Sequence, residues 1–269
     1  MEAGGLILVT GGTGRVGRRV VARLREAGRK VRVLSRRAHP SENGVEYVIG
    51  DLAGGVGVEA ALDGAEIVVH CAGSARMDED VAQARSLVHA ARRAGVGHVL
   101  NISVVGADRI PLVGRVDRAM FSYFASQLGV ERAVTESGLP WTNLRATQFY
   151  DGFILVMVEG MAKLPVVPVP AGFRFQPVDT DEVAARLVEL TLGSPAGLVP
   201  DLAGPRVYEA AELLRGYLRA VGKRRLLVPL RIPGAAARAI RAGANLSPHG
   251  TVGRRTWEDF LSELSAGAL

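Results

Sequence analysis

An apolar run near the amino end of the printed sequence leads directly into a cluster of glycines. We predict a buried strand at Leu6–Val9, because four consecutive aliphatic residues precede Thr10-Gly11-Gly12-Thr13-Gly14. Arg15–Ala27 then carries apolar residues at helical spacing and is predicted to be a helix. A strand, a glycine turn and a helix in this order restrict the fold strongly, since the chain must turn tightly and pack the helix back on the strand.

The glycines of this turn have separate physical roles. Gly11 and Gly12 permit a tight turn with positive φ, and Gly14 has no Cβ, so a pyrophosphate can approach the backbone there. Gly17 allows the helix to pack closely on the strand. The helix amino terminus then offers N–H groups and the positive end of its dipole to an anion. The spacing predicts a dinucleotide site, with a merely structural glycine turn as the alternative.

Strands and helices alternate through the first 148 residues. This order predicts an α/β fold, a doubly wound parallel (Rossmann) sheet that binds ligands at the carboxyl ends of its strands. Asp108–Met120 is predicted to be an irregular loop, and Phe173–Val178 a strand. The remaining strands of the sheet are predicted at Lys30–Leu34, Val45–Ile49, Glu66–Cys71, Val96–Ser103 and Pro140–Arg145.

The pattern becomes mixed after this region. We predict a Rossmann domain at residues 1–148 and a smaller, mixed lobe at 149–269 that covers the substrate cleft, within one structural unit. Residues 176–193 are expected to pack back on the Rossmann domain. Phe149, Tyr150 and Phe153 are predicted to form an apolar wall of the substrate pocket, although core packing explains them equally well.

The residues after the second strand bear on the choice of cofactor. NAD-specific sites usually place an acid here, to hold the ribose 2′-hydroxyl. This chain instead has Ser35, Arg36 and Arg37. Guanidinium groups attract the 2′-phosphate of NADP and can hold it with two hydrogen bonds. The sequence therefore predicts NADP (NADPH) as cofactor, with a solvated surface turn as the alternative.

Two further strand ends are predicted to contact the cofactor. Asp51 follows the third strand and would lie beside the adenine, unless it only caps a helix. Ala72, Gly73 and Ser74 follow the fourth strand, and their small side chains would leave room for the cofactor backbone.

The net charge of +6 and the pI near 10.0 do not by themselves indicate nucleic acid. Arginines account for nearly all basic residues and are spread along the chain, since lysine occurs only at Lys30, Lys163 and Lys223. We expect no nucleic-acid partner, while a protein partner that uses a basic surface stays open. Oligomeric state cannot be inferred.

Cys71 is the single cysteine, so no intrachain disulfide can form and a reducing compartment fits. Because it follows an apolar run, we expect a buried, inert thiol. No signal peptide and no spanning segment is apparent, which predicts a cytoplasmic protein with no membrane partner. No metal site is predicted.

Four segments together resemble the atypical short-chain dehydrogenase/reductase superfamily, and most closely its NmrA-like, NAD(P)-binding branch: Thr10–Gly17, Gly50–Leu52, Asn101–Gly106 and Leu139–Arg145. The resemblance covers Leu6–Tyr150 and, more loosely, the rest of the chain. It implies that Arg36 and Arg37 take the 2′-phosphate. It also implies that the pyrophosphate is lined by Gly11, Thr13, Gly14, Arg15 and Val16. The adenine would lie near Asp51 and Leu52, and the ribose near Ala72 and Gly73.

The resemblance also implies catalytic residues. Ser103 lies where such enzymes keep a hydroxyl that hydrogen-bonds the substrate oxygen, and Tyr123 opens a segment that looks like the Tyr-x-x-x-Lys motif. Gln127 stands in place of the lysine, and no lysine occurs anywhere in Ser103–Arg145. An NADPH-dependent oxidoreductase acting on a small apolar or aromatic acceptor, of quinone or carbonyl type, is therefore weighed against a non-catalytic NADP-sensing protein of NmrA-like type.

Overall fold

Strands and helices alternate along the first part of the chain, as the sequence predicts. The structure is a computed structural model that describes residues 5–40, 44–73 and 77–267. In chain order, the elements of the first part of the chain are β1 (Leu6–Thr10), α1 (Arg15–Glu26), β2 (Val31–Ser35), β3 (Val45–Ile49), α2 (Val58–Leu62), β4 (Ala65–His70), α3 (Met77–Arg93), β5 (His98–Val104), α4 (Arg115–Thr135) and β6 (Trp141–Ala146).

A π-helical turn, Tyr150–Ile154, opens the second part of the chain. It is followed by α5 (Leu155–Met161), β7 (Val166–Pro170), β8 (Arg174–Phe175), α6 (Thr180–Leu192), β9 (Gly197–Leu198), β10 (Leu202–Ala203), β11 (Tyr208–Glu209), α7 (Ala210–Ala220), β12 (Leu226–Leu230), α8 (Ala235–Arg241), β13 (Thr251–Val252) and α9 (Trp257–Ser265).

Backbone contacts divide these elements between two units. The first unit comprises the chain up to Ser103 together with Ala125–Arg145 and Val183–Val199. The second unit is formed by Val104–Phe124, Ala146–Glu182 and Pro200–Leu269.

The first unit is built on a sheet with the strand order β3-β2-β1-β4-β5-β6, and β9 also pairs with β6. β1 runs parallel to both β2 and β4, with Thr10 opposite Leu34 on one side and His70 on the other. This order characterises the doubly wound Rossmann fold, so the predicted fold class is confirmed. The order reverses at β1 and β4, which places the ligand crevice outside the carboxyl ends of these two strands.

β1, in the middle of this sheet, is buried on both faces, as its continuous aliphatic run predicts, whereas β3 at the edge is partly exposed. Ile7, Leu8 and Val9 in β1 have no exposed surface. On one face, Leu8, Val68 and Val99 pack against α2 and α3 in a single apolar cluster. Apolar burial on this scale is the main favourable term in folding, at about 25 cal/mol per Å² of apolar surface.

The second unit has its own apolar core, which is rich in aromatic side chains. Trp257 and Phe260 stack at 5.3 Å between ring centroids, and each stacks on Tyr150, at 5.8 and 5.7 Å. The Tyr150 hydroxyl donates to the Arg255 carbonyl oxygen at 2.9 Å. A buried phenol thus finds a partner for its polar end, as aromatic burial requires.

Two predicted elements differ from the structure. The loop predicted at Asp108–Met120 is wrong from Arg115 onward, because α4 begins there. The start was missed because Gly114, which precedes α4, offers no side-chain cap, and the carboxylate of Asp117 accepts its N–H from within the helix. The strand predicted at Phe173–Val178 shrinks to β8, which pairs with β11. Beyond it, the Gln176 carbonyl accepts from the Thr147 hydroxyl and from the Gly204 N–H.

The buried carboxylate of Asp117 accepts four backbone hydrogen bonds within the second unit. Its Oδ2 accepts the N–H groups of Val113 and Gly114 at 3.2 and 2.9 Å, and its two oxygens also receive those of Ala235 and Ala236 at the start of α8. The side chain is 1 % exposed. These bonds, the one from Gly114 first, hold the pKa of Asp117 below its ordinary value of 3.8, against the opposing effect of desolvation.

We expect Asp117→Asn to lower the melting temperature at neutral pH by several degrees, because an amide presents a donor to backbone donors. A carboxylate whose pKa is depressed on folding stabilises the fold above its unfolded pKa, and that stability is lost as the pH falls through its folded pKa. As the pH falls below about 4, the melting temperature of the variant should therefore decline less than that of the wild type. Asp63→Asn, at an exposed carboxylate, is the control and should change neither quantity.

No helix in the described ranges is both long and apolar enough to cross a bilayer. Within the same residues, His, Cys, Asp and Glu side chains form no group that could hold a metal ion.

Candidate cofactor and active site

The turn between β1 and α1 has the predicted positive φ at Gly11 but not at Gly12. Gly11 has a φ of +70°, in the left-handed region that favours glycine. The Gly14 N–H donates to the Gly11 carbonyl oxygen at 2.9 Å, which closes the turn. α1 then begins at Arg15, directly after Gly14.

Backbone crowding explains why side chains are excluded from this turn. A Cβ on Gly11 would lie 2.6 Å from the Ala72 nitrogen, and one on Gly17 would lie 2.1 Å from the Gly11 carbonyl oxygen. Both distances are well inside van der Waals contact with backbone atoms, which cannot swing aside. At Gly11 and Gly17, other backbone atoms therefore lie too close for any side chain, as the spacing of the glycines predicts.

The amino end of α1 suits an anion. No side chain caps this 12-residue helix, and its first turn contains no acidic residue. Thr13 and Gly14 are exposed, whereas the Val16 side chain is buried, so Val16 can offer only its backbone to a ligand. The N–H groups of a first helical turn and the helix dipole together favour phosphate. The loop therefore fits the pyrophosphate of a dinucleotide.

The end of β2 presents the two arginines. Arg36 and Arg37 are both exposed, and the Arg37 N–H donates to the Ser35 hydroxyl at 3.2 Å. No acidic residue lies between Ser35 and Pro40. β2 neighbours β1 in parallel, so its carboxyl end lies at the same edge of the sheet as the glycine turn. The arrangement leaves both guanidinium groups accessible to a phosphate at this edge.

Asp51 lies at the end of β3, in a tight turn of its own. Its Oδ1 accepts the Ala53 N–H at 3.2 Å, and its N–H donates to the Val56 carbonyl oxygen at 2.8 Å. Its carboxylate thus supports the local turn while remaining half-buried. Leu52, by contrast, is buried in the apolar cluster under the sheet.

The end of β4 contains a residue that the sequence analysis did not single out. His70 is 3 % exposed, and its Nδ1 lies 2.7 Å from the Thr10 hydroxyl oxygen. Burial lowers the pKa of His70 to about 4, so its imidazole is neutral at physiological pH. This contact joins the ends of β1 and β4 at the point where the strand order reverses. The available signal was a histidine at the end of a strand, directly after the apolar residues Ile67–Val69.

Cys71, Ala72 and Gly73 follow His70 at this edge, and Ser74 lies outside the described residues. Burial of the Cys71 thiol raises its pKa to about 12, so it is protonated at neutral pH. Cys71 is half-buried, so it is less buried than the sequence predicts, and its inertness stays a prediction. Ala72 is half-buried and Gly73 exposed, so neither adds bulk at the crevice.

Two polar side chains are buried in β5 without hydrogen bonds in the described part of the chain. The Ser103 hydroxyl has no partner there, and the residue is 4 % exposed. Asn101, 1 % exposed, has no partner for either amide atom. Buried polar atoms of this kind carry a free-energy cost unless water or a ligand satisfies them. Ser103 was predicted as a site residue, whereas Asn101 was missed in that role.

The predicted Tyr-Gln pair lies on α4, four residues apart and hence on one helix face. Tyr123 is 45 % exposed, while Gln127 is 8 % exposed. The next position on this face, Glu131, forms a bidentate ion pair with Arg145 at 2.8 and 2.7 Å. Glu131 is therefore already committed to a partner.

The three aromatic residues predicted for the substrate pocket lie in different environments within the second unit. Tyr150 is 1 % exposed and belongs to the stacked core. Phe153 is 54 % exposed, with its ring 5.9 Å from that of Phe175. Phe149 is half-buried. Only Phe149 and Phe153 thus offer surface to a ligand.

Fold and glycine turn together define a dinucleotide-binding protein, and comparisons with known proteins agree. Residues 11–168 match the NAD(P)H-binding family. The chain is 32 % identical over 252 residues to the ceramide reductase of Caulobacter vibrioides, covering 87 % of this chain and 76 % of that protein. It is 31 % identical over 223 residues to the (4-alkanoyl-5-oxo-2,5-dihydrofuran-3-yl)methyl phosphate reductase of Streptomyces griseus, covering 81 % and 74 %.

A solved structure with the same fold is the NADPH-dependent quinone oxidoreductase of Escherichia coli, in complex with NADPH. It superposes with a TM-score of 0.76 at 20 % identity, and the match covers 96 % of this chain and 99 % of that one. The chain belongs to the NAD(P)H-binding family of reductases, as an atypical short-chain dehydrogenase/reductase.

Proposed function

We propose that the protein is an NADPH-dependent reductase that acts on a small apolar or aromatic acceptor of quinone or carbonyl type. Membership of a family of NAD(P)H-dependent reductases supports the reaction class. The choice of NADPH over NADH depends on one observation, the pair of exposed guanidinium groups at the end of β2, in a segment from Ser35 to Pro40 that contains no acid. When bound, the cofactor supplies a hydride.

Measurement of cofactor affinity tests this choice. Charge-assisted hydrogen bonds contribute about 1.5–3 kcal/mol each, so Arg36→Ala should weaken NADPH binding by about tenfold to a hundredfold. NADH binding should change little, because it lacks the 2′-phosphate. Arg132→Ala, at an exposed arginine of α4, is the matched control. Equal losses for both cofactors, or none for either, would show that Arg36 holds no phosphate.

The roles proposed for the cofactor-binding residues follow the crevice edge. The pyrophosphate is contacted by Gly11, Thr13, Gly14, Arg15 and Val16. Val16 contacts it only through its backbone. Arg37 assists Arg36 at the 2′-phosphate. Asp51 and Leu52 lie near the adenine, and Ala72 and Gly73 near the ribose.

Tyr123 and Ser103 are proposed to hydrogen-bond the acceptor oxygen, and Gln127 to hydrogen-bond the ribose of the nicotinamide. An amide is neutral, so Gln127 cannot supply the positive charge by which a lysine lowers the pKa of a nearby phenol. This favours an acceptor whose reduction needs little help from a general acid, as with a quinone. Phe149 and Phe153 would provide apolar contact, with Tyr150 supporting them from the core.

Turnover measurements with Tyr123→Phe and Gln127→Lys test these roles. With quinones, we expect Tyr123→Phe to lower kcat/KM by about tenfold, consistent with loss of one orienting hydrogen bond. Gln127→Lys should instead raise activity toward carbonyl acceptors, since it restores the charge. A protein that binds NADPH but turns over no acceptor in either group would contradict the proposal.

The absence of lysine from Ser103–Arg145 also supports a second candidate, a non-catalytic NADP-sensing protein that binds a protein partner according to cofactor state. Pull-down with and without NADP distinguishes the two. Partners that differ between the conditions, together with no turnover, would favour sensing, whereas identical partners would count against it.

A further inference from the structure

The second unit carries an apolar surface that its own core does not use. β7 and β12 form a two-stranded parallel ribbon, with Leu226 opposite Val166 and Leu230 opposite Pro170. Side chains alternate between its two faces, as in any strand. Val167 and Val169 point into the core, at 0 and 5 % exposed.

The opposite side of the ribbon faces outward. Val166 is 49 %, Leu226 64 %, Val228 43 % and Leu230 53 % exposed, and Pro168 is exposed between them. We call these five residues the ribbon face. Large aliphatic residues that are adjacent in register and all exposed form a contiguous patch, and such patches mark interaction surfaces.

Cations lie at both ends of the ribbon. Because β7 and β12 run parallel, Lys163 and the pair Lys223 and Arg224 precede the strands at one end, while Arg231 follows β12 at the other. All four are exposed, and none forms an ion pair within the residues that the structure describes. No acidic residue occurs in 163–170 or 222–233. The patch is therefore apolar in its centre and positive at its ends.

The edges of the ribbon argue against an added strand. Pro168 and Pro170 in β7 and Pro229 in β12 have no N–H, so neither strand can complete a ladder with another chain. A symmetric contact with a second copy would bring the same cations together, which is unfavourable. The occupant that fits both the apolar centre and the positive ends is an anionic, apolar surface.

We propose that the ribbon face docks on the surface of an anionic lipid bilayer. Its aliphatic side chains enter the boundary between headgroups and acyl chains, while the four cations contact lipid phosphates at the ribbon ends. The sequence expectation of no membrane partner depended on the lack of a spanning segment, which this mode of contact does not require. The proposal is independent of which acceptor the protein reduces.

Flotation of the full-length protein with lipid vesicles tests the proposal. Vesicles of phosphatidylcholine alone are compared with vesicles of equal parts phosphatidylcholine and phosphatidylglycerol. We expect binding to the anionic vesicles only, weakened by added salt. Leu226→Ser with Leu230→Ser, and separately Lys223→Glu with Arg224→Glu, should each lower binding by about tenfold or more.

Matched controls carry the same chemical changes on the first unit. Leu192→Ser with Leu198→Ser alters two aliphatic residues that are 44 and 53 % exposed, and Arg85→Glu with Arg132→Glu reverses two exposed charges. Both control proteins should bind vesicles as the wild type does. Unchanged NADPH affinity and melting temperature establish that each variant is folded.

Three results would overturn the proposal. The first is that the wild type does not bind anionic vesicles. The second is that the control variants lose as much vesicle binding as the variants of the ribbon face and its cations. The third is a wild-type dimer in solution that Leu226→Ser with Leu230→Ser converts to monomer, since a second copy would then cover the face. None of these readouts depends on turnover, so failure here is distinct from failure of the proposed reductase activity.

Discussion

Gly17→Ala is expected to weaken NADPH binding by at least about tenfold and to destabilise the first unit by about 1–3 kcal/mol. The added Cβ would lie 2.1 Å from the Gly11 carbonyl oxygen and 2.8 Å from the Gly12 Cα. These are backbone atoms of the turn that is proposed to receive the pyrophosphate, so α1 or the turn must move. Alanine's better helix propensity offsets only about 1 kcal/mol of this cost.

Isothermal calorimetry with NADPH and urea unfolding measure the two effects. Gly160→Ala is the matched control, because that glycine also lies in a helix but has no atom within 4 Å of the position of an added Cβ. We expect the control to raise stability slightly, by about 0.4–1 kcal/mol, and to leave NADPH binding unchanged. Unchanged affinity in Gly17→Ala would mean that this turn does not hold the cofactor.

Glu131→Ala is expected to lower the free energy of unfolding by about 3–5 kcal/mol. Glu131 and Arg145 are 5 and 8 % exposed and share two hydrogen bonds. Removing the carboxylate takes away both charge-assisted hydrogen bonds that Glu131 makes to the buried guanidinium, and the solvation lost on burial is then less well compensated. Urea unfolding followed by circular dichroism gives the value.

The exposed pair Glu59 and Arg93 supplies the control, since both side chains are more than half exposed. Glu59→Ala should cost less than about 1 kcal/mol. Replacing Glu131 and Arg145 together by methionine should recover much of the loss, because no uncompensated charge remains. A double variant as unstable as Glu131→Ala would show that packing, rather than charge, determines the effect.

Much of the first unit's fold could be predicted from local patterns. β3 matches its predicted bounds, and the other strands that were predicted for the sheet shift by one or two residues. Continuous aliphatic runs and helical spacing are properties of a short window, so they survive without tertiary information. The start of α6 is equally local, because Asp179 directly precedes the helix and its Oδ1 accepts the Asp181 N–H at 2.7 Å.

The candidate site was predicted only where a motif carries its own geometry. Gly11 and Gly17 were identified because positive φ and close packing demand glycine. His70 and Asn101 were not, since a polar residue within an apolar strand has no local meaning until its neighbours are known. Tyr150 looked like pocket lining because the sequence cannot show that Trp257, far along the chain, covers its ring.

The amino-acid sequence by itself determined the alternating α/β order, the glycine turn and the basic pair after β2, because each depends on residues that are close in the chain. Only the tertiary structure decided that Thr10 meets His70, that Glu131 neutralises Arg145, and that β7 and β12 pair to leave an apolar face outside. These contacts join segments far apart in the chain, and their free energies depend on burial, which is a property of the folded molecule alone.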